Sequence, residues 1–93
     1  MVIVPDKIKL SQNYPNPFNP ETYITYTIPK AGNVTLTVYN AKGQEVATLI
    51  DNEYKNATSD EVKFDGSKLS SGIYIYTLTV DSYKVSKKMV LMK

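Results

Sequence analysis

The chain has no cysteine, no histidine, no arginine and no tryptophan among its 93 residues. Without cysteine there is no disulfide, no thiolate zinc site and no sulfur nucleophile. Without histidine the usual general base and the commonest metal ligand are gone. Together these absences exclude most hydrolase constellations. Bidentate reading of bases or phosphates lacks its arginine donors, and the 11 lysines are scattered rather than gathered in a stripe, so nucleic acid is not an expected partner. No apolar run approaches the ~18 residues that span a bilayer as a helix. Met1-Val2-Ile3-Val4-Pro5 is too short for a secretory leader, which needs a charged start and an apolar stretch of about 7–15 residues. If the protein is exported, its leader is expected upstream, which suggests a domain cut from something longer. Residues 1–7 then read as linker and 8–93 as the domain.

What the chain does contain supports one folded domain. Apolar residues make up 42% of it, enough for a packed core, and the net charge is only +2. A chain of this size buries roughly 65% of its unfolded surface, so its stability should be modest, about 5–14 kcal/mol.

Hydrophobicity alternates with a period of two almost throughout, the pattern of half-buried strands. In Glu21–Ile28, Ile24, Tyr26 and Ile28 share one face and Thr25 and Thr27 the other. Asn33–Asn40 repeats this with Val34, Leu36 and Val38 against Thr35, Thr37 and Tyr39. Glu45–Asp51, Asp60–Asp65, Gly72–Val80 and Lys84–Met92 are further strands, and Lys7–Leu10 is a short first one. No segment has helical periodicity. Asn40-Ala41-Lys42-Gly43 reads as a type I turn with Gly43 left-handed, Asp81-Ser82-Tyr83 closes a last hairpin, and the longer polar Asn52–Ser59 reads as a crossover between sheets. The expected fold is all-β, a seven-stranded antiparallel immunoglobulin-like sandwich, with a small barrel as the alternative. Expected core residues are Ile24, Tyr26, Leu36, Val38, Phe64, Tyr74, Tyr76, Leu78 and Val90.

Gln12-Asn13-Tyr14-Pro15-Asn16-Pro17-Phe18-Asn19-Pro20 stands apart from this pattern. Each proline fixes its own φ and pushes its predecessor out of the helical region, so the stretch is neither helix nor central strand. Tyr14 and Phe18 are too apolar for a solvated linker. We expect a rigid extended lead-in whose two rings pin it against the domain.

Groups that could carry chemistry have plainer readings. Ser70 or Ser71 as a nucleophile lacks an activating base. A turn leading into a central strand, with Tyr74 as a tyrosine-corner residue, accounts for the same residues. Asp51, Asp60, Asp65 and Asp81 belong to no calcium loop, and each sits where aspartate favours a turn or strand end. Glu21, Glu45, Glu53 and Glu61 give no reason for the raised pKa a glycosidase pair requires. Asn33-Val34-Thr35 and Asn56-Ala57-Thr58 match a glycosylation sequon that is common by chance. Eight tyrosines invite sugar stacking, with Tyr39, Tyr54 and Tyr83 as candidates, yet tyrosine also fills sandwich cores. In Lys87-Lys88-Met89-Val90-Leu91-Met92-Lys93, two lysines precede an apolar run. They read as guards of an edge strand, or as part of a terminal strand that a partner reads by adding to its edge. The same edge offers a route to a homodimer. No cofactor or metal is expected.

Four blocks in order carry a resemblance. Leu10 to Pro20 with Thr22 and Ile24, then Val38 to Gly43, Leu69 to Tyr76, and Lys87 to Leu91 resemble the type A C-terminal sorting domain of the type IX (Por) secretion system. The likeness runs from about Ile8 to Lys93. It departs at Lys55-Asn56-Ala57-Thr58, where the family often has glycine, and at Phe64, where it often has tryptophan. The resemblance implies a non-catalytic β-sandwich at the C-terminus of proteins secreted by Bacteroidota-like bacteria. A cargo domain N-terminal to it would pass through the periplasm to the cell surface or medium. The partners implied are the outer-membrane translocon and a sortase-like peptidase that removes the domain near or upstream of Ile8. On the same ground the signal motif comprises Asn13, Tyr14, Pro15, Asn16, Pro17 and Phe18 in the lead-in, Gly72, Tyr74 and Tyr76 in the penultimate strand, and Lys87, Lys88, Met89 and Val90 at the end. The same pattern trails glycoside hydrolases and peptidases, which leaves an accessory or carbohydrate-binding module as a second reading.

Overall fold

Strand-forming runs separated by short turns produce seven strands in the computed structural model, which describes residues 7–93. They are β1 (Lys9–Leu10), β2 (Glu21–Ile28), β3 (Gly32–Asn40), β4 (Glu45–Lys55), β5 (Thr58–Asp65), β6 (Gly72–Val80) and β7 (Tyr83–Leu91). The fold is all-β. One sheet has the order β1-β2-β5 and the other β4-β3-β6-β7, and every pairing within them is antiparallel. The upstream linker before Lys7 lies outside the described residues.

The period-two faces meet as the sequence predicts. Ile24, Tyr26 and Ile28 of β2 face Val34, Leu36 and Val38 of β3, with Phe64, Tyr74, Tyr76 and Leu78 completing a single core. The outer face of the larger sheet carries hydroxyls instead. Thr48, Thr37, Thr77 and Ser86 align across four strands, and the Thr77 and Ser86 hydroxyls lie 2.8 Å apart. Such cross-strand pairs help hold register on this outer face, where Thr37 and Thr77 are themselves buried.

The turns are built as their residues require. Gly43 has φ 84°, and the Asn40 side-chain carbonyl accepts from the Lys42 and Gln44 amides at 3.0 and 2.9 Å. Asp81, at φ 52°, opens the two-residue loop between β6 and β7, where a right-twisted hairpin needs a positive φ. Its carboxylate accepts from the Asn33 amide at 3.0 Å.

Three expectations need correction. Asn52–Ser59 is not one long loop. β4 runs on to Lys55 and β5 begins at Thr58, because register shifts against β3 and a left-handed Asn52 (φ 48°) let the strand bend rather than stop. Val90 is only half-buried, while Met89 and Leu91 are fully enclosed. Met89 pairs with the inward-facing Tyr74, and Val90 with the outward-facing Ile73; adjacent strand residues point to opposite faces. Tyr14 does not pin the lead-in, for its ring is 79% exposed. It pairs with Tyr23 through two 2.9 Å backbone bonds that leave its side chain on the outer surface.

Candidate recognition surface

Asn13 does the anchoring that Tyr14 does not. It is 2% exposed, and its Nδ2 donates to the Pro15 carbonyl at 3.1 Å and to Thr22 Oγ1 at 3.0 Å. Its amide donates to the Tyr76 hydroxyl at 2.8 Å, and that hydroxyl donates to the Ser11 carbonyl at 2.7 Å. A buried polar group must find its partners inside the protein, so this network fixes where the lead-in crosses from one sheet to the other. Burial pushes the Tyr76 hydroxyl up to about 12, against a smaller downward pull from the Asn13 N–H.

Beyond Asn13 the lead-in runs parallel to β7 and closes the last part of its edge. Gln12 Nε2 donates to the Lys88 carbonyl at 2.7 Å, and the Val90 amide donates to Asn16 Oδ1 at 3.0 Å. The Phe18 amide donates to the Val90 carbonyl, and the Met92 amide to the Phe18 carbonyl, each at 2.9 Å. Two side-chain amides therefore stand in for strand backbone, Gln12 as the donor in a stretch where Pro15 and Pro17 have no N–H to give, and Asn16 as the acceptor. The Phe18 ring then fills the core end, edge-on to Phe64 at 6.0 Å between centroids and 65° between planes. Glycine at position 66 makes room, since a β-carbon there would sit 3.1 Å from Leu91 and 3.2 Å from Phe18.

The other blocks arrive at the same end of the sandwich. The turn after β3 and the start of β6 border one recess of about 260 Å³ with Asn40, Lys42, Ser71 and Ile73 on its walls. Tyr74 donates from its hydroxyl to the Ser70 carbonyl at 2.7 Å, the back-bond of a tyrosine corner. Lys93 donates through its amide to Ser71 Oγ at 3.0 Å and through Nζ to the Ser67 carbonyl at 2.6 Å. Gly72 pairs with Leu91.

Lys87 and Lys88 occupy different faces. Lys87 lies opposite buried Tyr76 and is half-buried, an inward charge at a sheet edge, whereas Lys88 is exposed opposite Ile75. Pro15, Asn16 and Pro17 are exposed. Tyr39, Tyr54 and Tyr83 are not brought together. Tyr39 is near the turn after β3, while Tyr54 and Tyr83 are at the far end on opposite edge strands, about 14 Å apart at ordinary strand spacing. Sequence reasoning counted Gln12 and Thr22 in the first resembling block but assigned them no contact, and it gave Gly66 no role. A run of amide side chains among prolines was the available signal for Gln12.

A family model described as the secretion system C-terminal sorting domain matches residues 12–92. The chain belongs to this family. No curated protein and no solved structure matches it. The sorting-domain match begins and ends on the seam just described, since Gln12 bonds to Lys88 and Met92 to Phe18. As a sorting domain of the type IX system it serves export to the cell surface or the extracellular space.

Proposed function

We propose that the domain is a C-terminal address read by the type IX outer-membrane translocon after its cargo has reached the periplasm, and that a sortase-like peptidase then removes it near or upstream of Ile8. The reading rests on family membership and on one observation above the others. The two motif blocks farthest apart in sequence, Asn13–Phe18 and Lys87–Val90, are hydrogen-bonded to each other. A partner reading β7 thus reads the lead-in with it, as one surface that exists only in the folded domain. Residues 8–93 act as the unit, and the cargo is joined at its N-terminal side. The immunoglobulin-like form of the sandwich belongs to this proposal. It is supported by the grouping of the first, second and fifth strands against the third, sixth and seventh, and by the Tyr74 corner.

The test is export of a periplasm-directed fluorescent reporter fused to the chain, in a bacterium with a type IX system. The fusion should reach the surface or medium, and a twin lacking Lys87–Lys93 should stay in the periplasm. Retention of both would overturn the reading.

A further inference from the structure

The outer edge of β7 is closed over only part of its length. Val90 directs both its N–H and its C=O away from β6 toward the lead-in, and Lys88 directs its C=O the same way. In an antiparallel pair, residues with outward backbone groups recur at every second position. Lys84 and Ser86 therefore present N–H and C=O at the same edge, and Lys88 its N–H. Among the described residues none of these groups has a backbone or side-chain partner. The side chains of Lys84, Ser86 and Lys88 are exposed.

The charged side chains on β7 itself have one sign. Lys84, Lys87 and Lys88 lie on β7, which has no acidic residue, and neither has β6. Lys9 lies on β1, the edge strand of the facing sheet. Asp81, in the adjoining turn, is already engaged by the Asn33 amide. Pairing with a second copy, centred on Ser86, would set Lys84 of each chain against Lys88 of the other, and like charges directly opposite destabilise a sheet. An extended acidic segment meets both requirements, hydrogen bonds for the edge and carboxylates for the lysines.

We propose that the open edge from Lys84 to Lys88 binds an extended acidic segment of a partner protein by strand addition, with carboxylates opposite Lys84 and Lys88. The lead-in sets the limit of the site, because Gln12 already holds the Lys88 carbonyl. This deepens the sorting reading, and rests on it, by giving the chemistry of the translocon segment that meets β7.

The test uses the 93-residue chain and an alternating Glu-Val peptide about nine residues long, a usual strand length. A Lys-Val peptide serves as the control. Amide NMR shifts should move at Lys84–Lys88 with the Glu-Val peptide only. Ser86→Pro removes an outward N–H at an edge, where proline is tolerated. With folding checked by thermal melting, it should weaken binding about tenfold. Lys84→Glu with Lys88→Glu should abolish Glu-Val binding and create Lys-Val binding. Any of three results overturns the proposal: no binding, shifts elsewhere, or equal binding of both peptides. Two more do so by naming another occupant. Binding of dextran sulfate that matches the peptide and ignores Ser86→Pro would mean a polyanion site. Binding that appears only after deletion of residues 1–6 would make that segment the occupant. If Ser86→Pro is exported normally while loss of Lys87–Lys93 blocks export, this proposal falls and the sorting reading stands.

Discussion

At one end of the sandwich the chain reverses three times within two or three residues, at Pro29–Ala31, Asn56–Ala57 and Asp81–Ser82. At the other end it uses the lead-in, the turn after β3, the stretch from Gly66 to Ser71 and the close of β7 together. Bonds at that end join residues 74 and 76 positions apart. The tight turns are short and take their shape from their own backbone, as the positive φ of Asp81 shows, although its carboxylate also reaches Asn33 at the start of β3. The motif end has local closures too, in the Asn40 turn and the Tyr74 corner, but its lead-in is held by contacts between distant segments. Four blocks spread along the sequence can be read as one signature because folding makes them neighbours.

That contrast can be broken most forcefully at Phe18. Phe18→Ala empties a site that is 1% exposed and should cost about 3–5 kcal/mol, a large part of the whole stability, in urea unfolding followed by circular dichroism. A loss below ~1 kcal/mol would mean that the lead-in does not close this end. Tyr76→Phe comes next. It leaves the Asn13 amide and the Ser11 carbonyl without their shared hydroxyl and should cost about 2–3 kcal/mol. The same residue gives a pH signature. Its folded pKa, about 12, lies above the ordinary tyrosine value of 10.0, so its contribution is complete below pH 10 and fades as pH rises from there toward 12. Melting temperature should therefore fall more steeply over that window in the parent than in Tyr76→Phe. Gly32→Ala probes the tight-turn end and should be mildest, about 1 kcal/mol, because the new β-carbon would stand 2.7 Å from the Asp81 carboxylate oxygen. Adding Asp81→Ala should remove most of that penalty, a local non-additivity.

The strands were legible in the sequence because a half-buried sheet imposes a period of two, and β2 and β6 have the predicted bounds. The parity of β7 was less legible, since Met89-Val90-Leu91-Met92 is apolar at both odd and even positions. Its pairing with β6 decides which set turns inward, and a slip of one residue exchanges them. Phe18 was found in the core as its bulk suggested. Tyr14, equally aromatic, was not, because nothing periodic governs which way a ring points between prolines. Asn13 was placed in the motif, but its burial was invisible. An asparagine is expected at the surface until Tyr76, Thr22 and Pro15 supply its partners from elsewhere in the fold. The composite edge of lead-in and β7 could not be read either, for it depends on segments more than 70 residues apart coming into contact.

The seating of Phe18 between Gly66 and Leu91 also has a kinetic consequence. Its groove does not exist until β7 has paired with β6, and closing so long a loop delays the contacts that depend on it. The Phe18 end of the lead-in therefore depends on that pairing, whereas Ser11 and Tyr14 bond to β2 without it. A chain whose seventh strand has not yet formed lacks the bonds from Gln12, Asn16 and Phe18 to that strand, so the finished composite edge marks a domain that has completed its folding.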